Sequence, residues 1–182
     1  MYIWIGCKLP EEFERRVRKL VTEHGEDLAL DFSCFSLPQH ISLKISFEAG
    51  DYWEKILDSV ERILRLEEDI RAVPAGIEQQ GNILWVAFRE NGQLRRLHNL
   101  LDRELRKDFG IPQHLFDKAF RFHSTLCFCR QEDLLVLQQR LQGLSLPEEL
   151  ESEAFLLGIS ETGKSGTYRV VRQIPCRRTG DR

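Results

Sequence analysis

The chain has 182 residues, 42% of them hydrophobic and 30% charged, a balance that excludes a disordered chain and suits one compact domain or two small lobes sharing a core. No apolar run reaches the roughly 18 residues that a membrane-spanning helix needs. Lysine and arginine number 26 against 29 acidic residues, a net charge of −3, so the basic surplus that grips long duplex nucleic acid is missing, while a nucleotide or a strand end could still be held by a local patch.

In chain order, residues 2–7 are rich in aromatic and β-branched side chains and read as a strand. Pro10 opens a helix to about His24, with Phe13, Val17, Leu20 and Val21 on one face and Gly25 as its stop. A polar stretch runs to Gln39. Over residues 40–47 the even positions are polar and the odd ones apolar, the period of a half-buried strand. Asp51 is expected to cap the next helix, and Trp53, Ile56, Leu57, Val60, Ile63 and Leu64 to form its buried face. Residues 75–80 and 83–88 read as strands joined by a Gly81-Asn82 turn. Asn91 is expected to cap a helix carrying Leu94, Leu97, Leu100, Leu101 and Leu105 and ending near Gly110. After a loop with Pro112, residues 120–129 read as a strand and 131–141 as a helix. Residues 155–160 and 167–174 form a closing hairpin, and 177–182 a frayed tail.

Five cysteines, at 7, 34, 127, 129 and 176, are odd in number and lack a CxxC pair, which speaks against a zinc ribbon or a disulfide framework. Cys127 and Cys129 read as packing residues. The first residues lack the basic start and apolar core of a secretion signal, so reduced thiols in a cytoplasm, and a monomer, are the expectation.

Three short segments recur in the same order. Ile3-Trp4-Ile5 is echoed by Ile83-Leu84-Trp85-Val86, His40-Ile41-Ser42-Leu43 by His123-Ser124-Thr125-Leu126, and Gly76-Ile77-Glu78 by Gly158-Ile159-Ser160. The offsets stay within a few residues of one another, which marks an internal repeat. The expected fold is α+β and bilobal: one domain over residues 1–182, with two pseudo-symmetric lobes, roughly 1–74 plus the closing strands, and 75–176. Each lobe is an antiparallel sheet with helices on its outer face, and a cleft lies between them.

The chemistry sits in the repeated His-x-Ser-Leu and His-x-Thr-Leu. On a strand, residues i and i+2 point the same way, about 6–7 Å apart. His40 therefore shares a face with Ser42, and His123 with Thr125, while Ile41, Leu43, Phe122, Ser124 and Leu126 face the helices. If the lobes pair about a pseudo-twofold, two imidazoles and two hydroxyls meet in one cleft. Such a set suits a phosphate diester: a neutral imidazole takes a proton from the attacking oxygen, an imidazolium gives one to the leaving oxygen, and the hydroxyls donate to the non-bridging oxygens. Neither a metal nor another cofactor is called for. A lone histidine on a strand is ordinarily a satisfied surface residue; two in register with a repeat are a different observation.

These two motifs and the duplicated layout resemble the 2H phosphoesterases, which include the bacterial RNA 2′,3′-cyclic phosphodiesterases historically called 2′-5′ RNA ligases. The resemblance covers almost the whole chain; Ser42 stands where Thr is commoner. It implies a metal-independent hydrolase of 2′,3′-cyclic phosphates on an RNA 3′ end or a nucleotide, with 2′-5′ joining as the reverse reaction. By the same analogy His40 is the proton donor and His123 the acceptor, although the residues alone leave the two roles exchangeable. The alternatives are a phosphodiesterase of linear 2′-5′ oligonucleotides and a non-catalytic module that binds RNA ends. Lys44 and Arg121, expected on the motif face, and Tyr168, after the 163–166 turn, are candidate substrate contacts. His114 reads as a loop residue, His24 and His98 as solvated helix residues, and Trp4 and Trp85 as core.

Overall fold

The computed structural model describes residues 1–143 and 145–177. In chain order the elements are β1 (Tyr2–Lys8), α1 (Glu11–His24), β2 (His40–Glu48), α2 (Trp53–Leu64), β3 (Ile70–Ala72), β4 (Pro74–Gln80), β5 (Ile83–Phe88), α3 (Gly92–Phe109), β6 (His123–Phe128), α4 (Gln131–Leu141), β7 (Leu150–Ser152), β8 (Ala154–Ser160) and β9 (Arg169–Pro175). Two larger antiparallel sheets form, ordered β2-β1-β8-β9 and β4-β5-β6. This is the expected bilobal α+β architecture.

The halves exchange strands. β4, which follows the helices of the first half, completes the second sheet, and β8, which follows those of the second half, completes the first. The short strands β3 and β7 precede β4 and β8 respectively, and pair with each other, Arg71 opposite Glu151. Corresponding segments of the two halves thus meet antiparallel. One apolar cluster runs through both lobes, from Ile3, Ile5, Ile41 and Leu43 to Leu84, Val86, Leu97 and Leu134. The two sheets therefore share a core.

Local chemistry accounts for the helix ends. Glu11, Glu12 and Glu14 stand in the first turn of α1, where the helix dipole favours negative charge. Asn91 caps α3, accepting from the backbone N–H groups of Gln93 and Leu94 at 2.8 and 3.1 Å. Gly110 ends it at φ 69°, a conformation that costs a residue with a Cβ. Asp51 does not cap α2: residues Gly50–Tyr52 form a 3₁₀ turn ahead of it, with no side-chain cap bond. The strand expected from residue 120 begins at His123, and the one expected from 167 begins at Arg169. Arg177 is not frayed. It bridges to Glu68, its N–H donating to the Glu67 carbonyl; the rest of the expected tail, 178–182, lies outside the described residues. Among the described residues no helix is long and apolar enough to cross a membrane.

Candidate functional site

β2 and β6 are edge strands of their sheets, and they run beside each other at the seam of the lobes. On β2, Ile41 and Leu43 are fully buried while His40 and Ser42 are half-buried on the other face; on β6, Ser124 and Leu126 are buried and His123 and Thr125 half-buried. The expected period of two thus runs through both motifs. The strands are joined through Gln39, whose side-chain amide donates to the Thr125 carbonyl at 3.1 Å and accepts from the Ser124 hydroxyl at 2.7 Å.

The two imidazoles are held alike. His40 Nδ1 lies 2.7 Å from the Pro38 carbonyl, and His123 Nδ1 lies 2.8 Å from the Arg121 carbonyl. A carbonyl only accepts, so Nδ1 carries a proton in both rings. That leaves Nε2 as the nitrogen free to take or give a proton. Burial pushes His40 down to about 4; the bond to Pro38 opposes this, and the charge of His123 adds to it. Burial also holds His123 below its ordinary value, against the bond to Arg121 and with help from the Arg121 guanidinium. Both rings are therefore neutral in the free protein at neutral pH.

Each imidazole rests on a tryptophan. Trp4 meets His40 edge-on at 4.2 Å between centroids, and Trp85 stacks beneath His123 at 4.3 Å. Trp4 lies flat on its sheet because its neighbours there are glycines: a Cβ on Gly6 would come within 2.3 Å of the indole, and one on Gly158 within 2.7 Å. Its Nε1 donates to Ser42 Oγ at 3.3 Å, which leaves the Ser42 proton free for an outside acceptor. Both tryptophans are buried, as expected, but they floor the cleft and stand outside the main apolar core. The signal for this is in the sequence: both occupy the same repeat position, with the parity opposite to Ile3 and Ile5.

The remaining candidates separate. Arg121 is exposed beside His123 and paired with Glu78. Tyr168 packs with Trp4, Leu37, Leu156 and Val170 on the His40 side of the cleft, its hydroxyl 3.4 Å from the Gly163 carbonyl. Lys44 does not share the face of His40 and Ser42. The β1–β2 register slips between Ser42 and Lys44, where Ile5 opposes Lys44 and Gly6 opposes Ser42, so the extra residue turns Lys44 inward. It is 2% exposed, 3.0 Å from Asp102 and bonded to Asp117. His98 is likewise not solvated: it is 1% exposed, with Nδ1 2.8 Å from the Leu43 carbonyl and Nε2 3.2 Å from that of Asp117. His114 is an exposed loop residue that caps the 3₁₀ turn Leu115–Ala119. Among the described residues no group of three or more His, Cys, Asp or Glu is arranged to hold a metal ion.

No protein-family model and no curated protein matches this sequence. Solved structures do match over nearly the full length. TT0787 of Thermus thermophilus superposes with a TM-score of 0.69 at 22% identity, over 97% of this chain and 98% of its own. E. coli LigT, solved with 3′-AMP, gives 0.67 at 15% identity over 96% and 97%, and Usb1 of Kluyveromyces marxianus 0.54 at 12% over the same shares. The fold is that of the 2H phosphoesterases, and the resemblance read from the two motifs extends to the whole architecture.

Proposed function

We propose that the protein is a metal-independent phosphodiesterase that opens 2′,3′-cyclic phosphates at RNA ends or on nucleotides. The observation that carries this reading is the matched pair of half-sites: two histidines with Nδ1 tied to a carbonyl, each with a hydroxyl two residues on, on adjoining edge strands. One neutral Nε2 takes a proton from water as its oxygen bonds to phosphorus. The other ring gains its proton when the anion binds, because a phosphate charge nearby favours imidazolium. It then gives that proton to the ribose oxygen whose bond to phosphorus breaks. Ser42 and Thr125 donate to the non-bridging oxygens, where charge builds. Departure of the 3′ oxygen leaves a 2′-phosphate. With a 5′-hydroxyl in place of water, the same groups join strands through a 2′-5′ bond.

Arg121 and Tyr168 are the candidate contacts for the rest of the substrate; Lys44, turned inward to two aspartates, has no access to it. The test is incubation with nucleoside 2′,3′-cyclic phosphates and with a short RNA ending in one, chelator present, and separation of 2′- from 3′-phosphate products. Turnover that persists with chelator and disappears in His40→Ala and His123→Ala is expected. Folded wild-type protein that turns over none of these overturns the reading; linear 2′-5′ oligonucleotides, and then binding without turnover, would be tried next.

A further inference from the structure

Gln39 lies just outside the motif, yet it is 2% exposed and has a partner for every polar group. Its N–H donates to Glu14 Oε2 at 3.0 Å, and its carbonyl accepts from Leu9 N–H at 2.9 Å. Glu14 is in turn paired with Arg18 at 2.8 Å, and Arg18 donates to the Phe35 and Leu37 carbonyls. The backbone directly before His40 is thereby fixed to α1. The Gln39 side chain then crosses to the other lobe and grips Ser124 and Thr125, the two residues after His123. Its amide orientation follows from its partners, because the Thr125 carbonyl requires a donor. The bridge has no counterpart in the repeat: the residue before His123 is Phe122, buried in the core.

We infer that Gln39 is a positioning residue that sets the separation of the two histidines by clamping β2 to β6. The inference rests on the two-histidine reading of the site. In-line transfer needs both Nε2 atoms at fixed distances from one phosphorus. A misplacement of about 1 Å is enough to cost about a hundredfold in rate, and small shifts at this seam move one histidine relative to the other. Substrate affinity, spread over the whole cleft, depends on that spacing much less.

The experiment compares wild type with Gln39→Met, which keeps the length of the side chain and loses both bonds. Steady-state kinetics on a 2′,3′-cyclic nucleotide are measured beside an NMR titration of the histidine C2 protons. In Gln39→Met, kcat is expected to fall by about ten- to a hundredfold with KM changed less than about twofold. The His40 titration is expected to move up toward the ordinary value, because the loosened seam admits water and weakens the influence of His123. Ser124→Ala removes the other end of one bond and guards against a misfolded first variant. Its loss is smaller but in the same direction, and the two changes combined cost less than the product of the singles. Unchanged kcat and unchanged titration curves in a folded Gln39→Met, or independent effects of the two variants, would overturn the clamp. The titration tests it even if no cyclic phosphate is turned over, so its failure is distinguishable from failure of the proposed function.

Discussion

In the first half-site Trp4 lies across Gly6 and Gly158 with its Nε1 on Ser42. In the second, Trp85 stacks at 30° to His123, and its buried Nε1 has no hydrogen-bond partner among the described residues. Two residues past its tryptophan the first repeat has Gly6 and the second Ala87, and four residues past its histidine the first has Lys44 and the second Cys127, fully buried. The imidazole, the carbonyl that holds its Nδ1 and the hydroxyl are common to both halves, while the placing of the indole against them is not. On the proposed reading, duplication kept what must meet the phosphate and let each lobe find its own way of holding it.

The strongest test of equivalence is removal of each histidine in turn. His40→Ala and His123→Ala are each expected to lower turnover of a cyclic phosphate by about 10²–10⁴-fold, the range for a positioned acid or base. Comparable losses in single-turnover assays support a shared acid–base pair. A variant that keeps near wild-type rates would reduce its half-site to a binding role.

Lys44 tests whether the first motif strand depends on a buried charge that the second lacks, its partners Asp102 and Asp117 both coming from the second half. Lys44→Met leaves Asp102 and Asp117 facing each other without their cation, and Asp117 Oδ1 is already without a hydrogen bond. Breaking a buried pair from one side costs about 3–5 kcal/mol. Urea unfolding should show that loss with the m-value unchanged. Cys127→Ser, at the equivalent position, removes no charge partner and should cost less. A Lys44→Met protein as stable as wild type would show that the ion pair is replaceable.

That charge cluster also marks the limit of what can be read from the sequence. The alternation through both motifs is legible because local period decides which face a side chain takes, and the repeat is legible because it is a property of the letters. Lys44 departs from the alternation because one slip in register reverses parity, and nothing around Leu43 announces a bulge. His98 sits among charges on α3, which suggests solvent; its partners come from β2 and from the 115–119 turn, 55 and 19 residues away. Gln39 is tied to positions 85 and 86 residues on, a contact that no local pattern encodes.

Gly6 and Ala87 offer a gentler comparison. Gly6→Ala sets a methyl against the Trp4 indole, and overpacking of this kind costs about 1–3 kcal/mol. The indole must tilt, which disturbs both its bond to Ser42 and its contact with His40. A stability loss accompanied by a fall of about tenfold in kcat is expected, since misorientation by a fraction of an ångström costs less than a full misplacement. The reciprocal Ala87→Gly should leave kcat within a few-fold of wild type. Equal effects of the two would mean that the tryptophans are held in the same way after all.

The smallest expected effect is on stability as a function of pH, and it too separates the half-sites. Folding lowers the pKa of His40 to about 4 and that of His123 in the same direction, whereas in the unfolded chain both return to about 6.5. Between those values the unfolded state binds more protons than the native one, so stability rises with pH there and falls as the pH drops. The loss from His40 starts near the unfolded value and levels off below about 4. Asp27, Glu61 and Glu90 are held low by their arginine partners, so their stabilisation starts to be lost only as the pH falls into the ordinary carboxylate range. The interval between about pH 4.5 and 6.5 therefore belongs largely to the imidazoles. Because His40 is only half-buried, water weakens the effect, and a loss of about 1 kcal/mol across that interval is expected. Urea unfolding at pH 7 and pH 4.5 measures it. The Nδ1 bond of His40 is partly buried and that of His123 exposed, so His40→Gln should flatten the slope more than His123→Gln does. A His40→Gln protein with the wild-type slope would mean that the first imidazole titrates in the native state much as it does in the unfolded chain. Its neutrality at pH 7 would then owe nothing to the closer packing of its half-site.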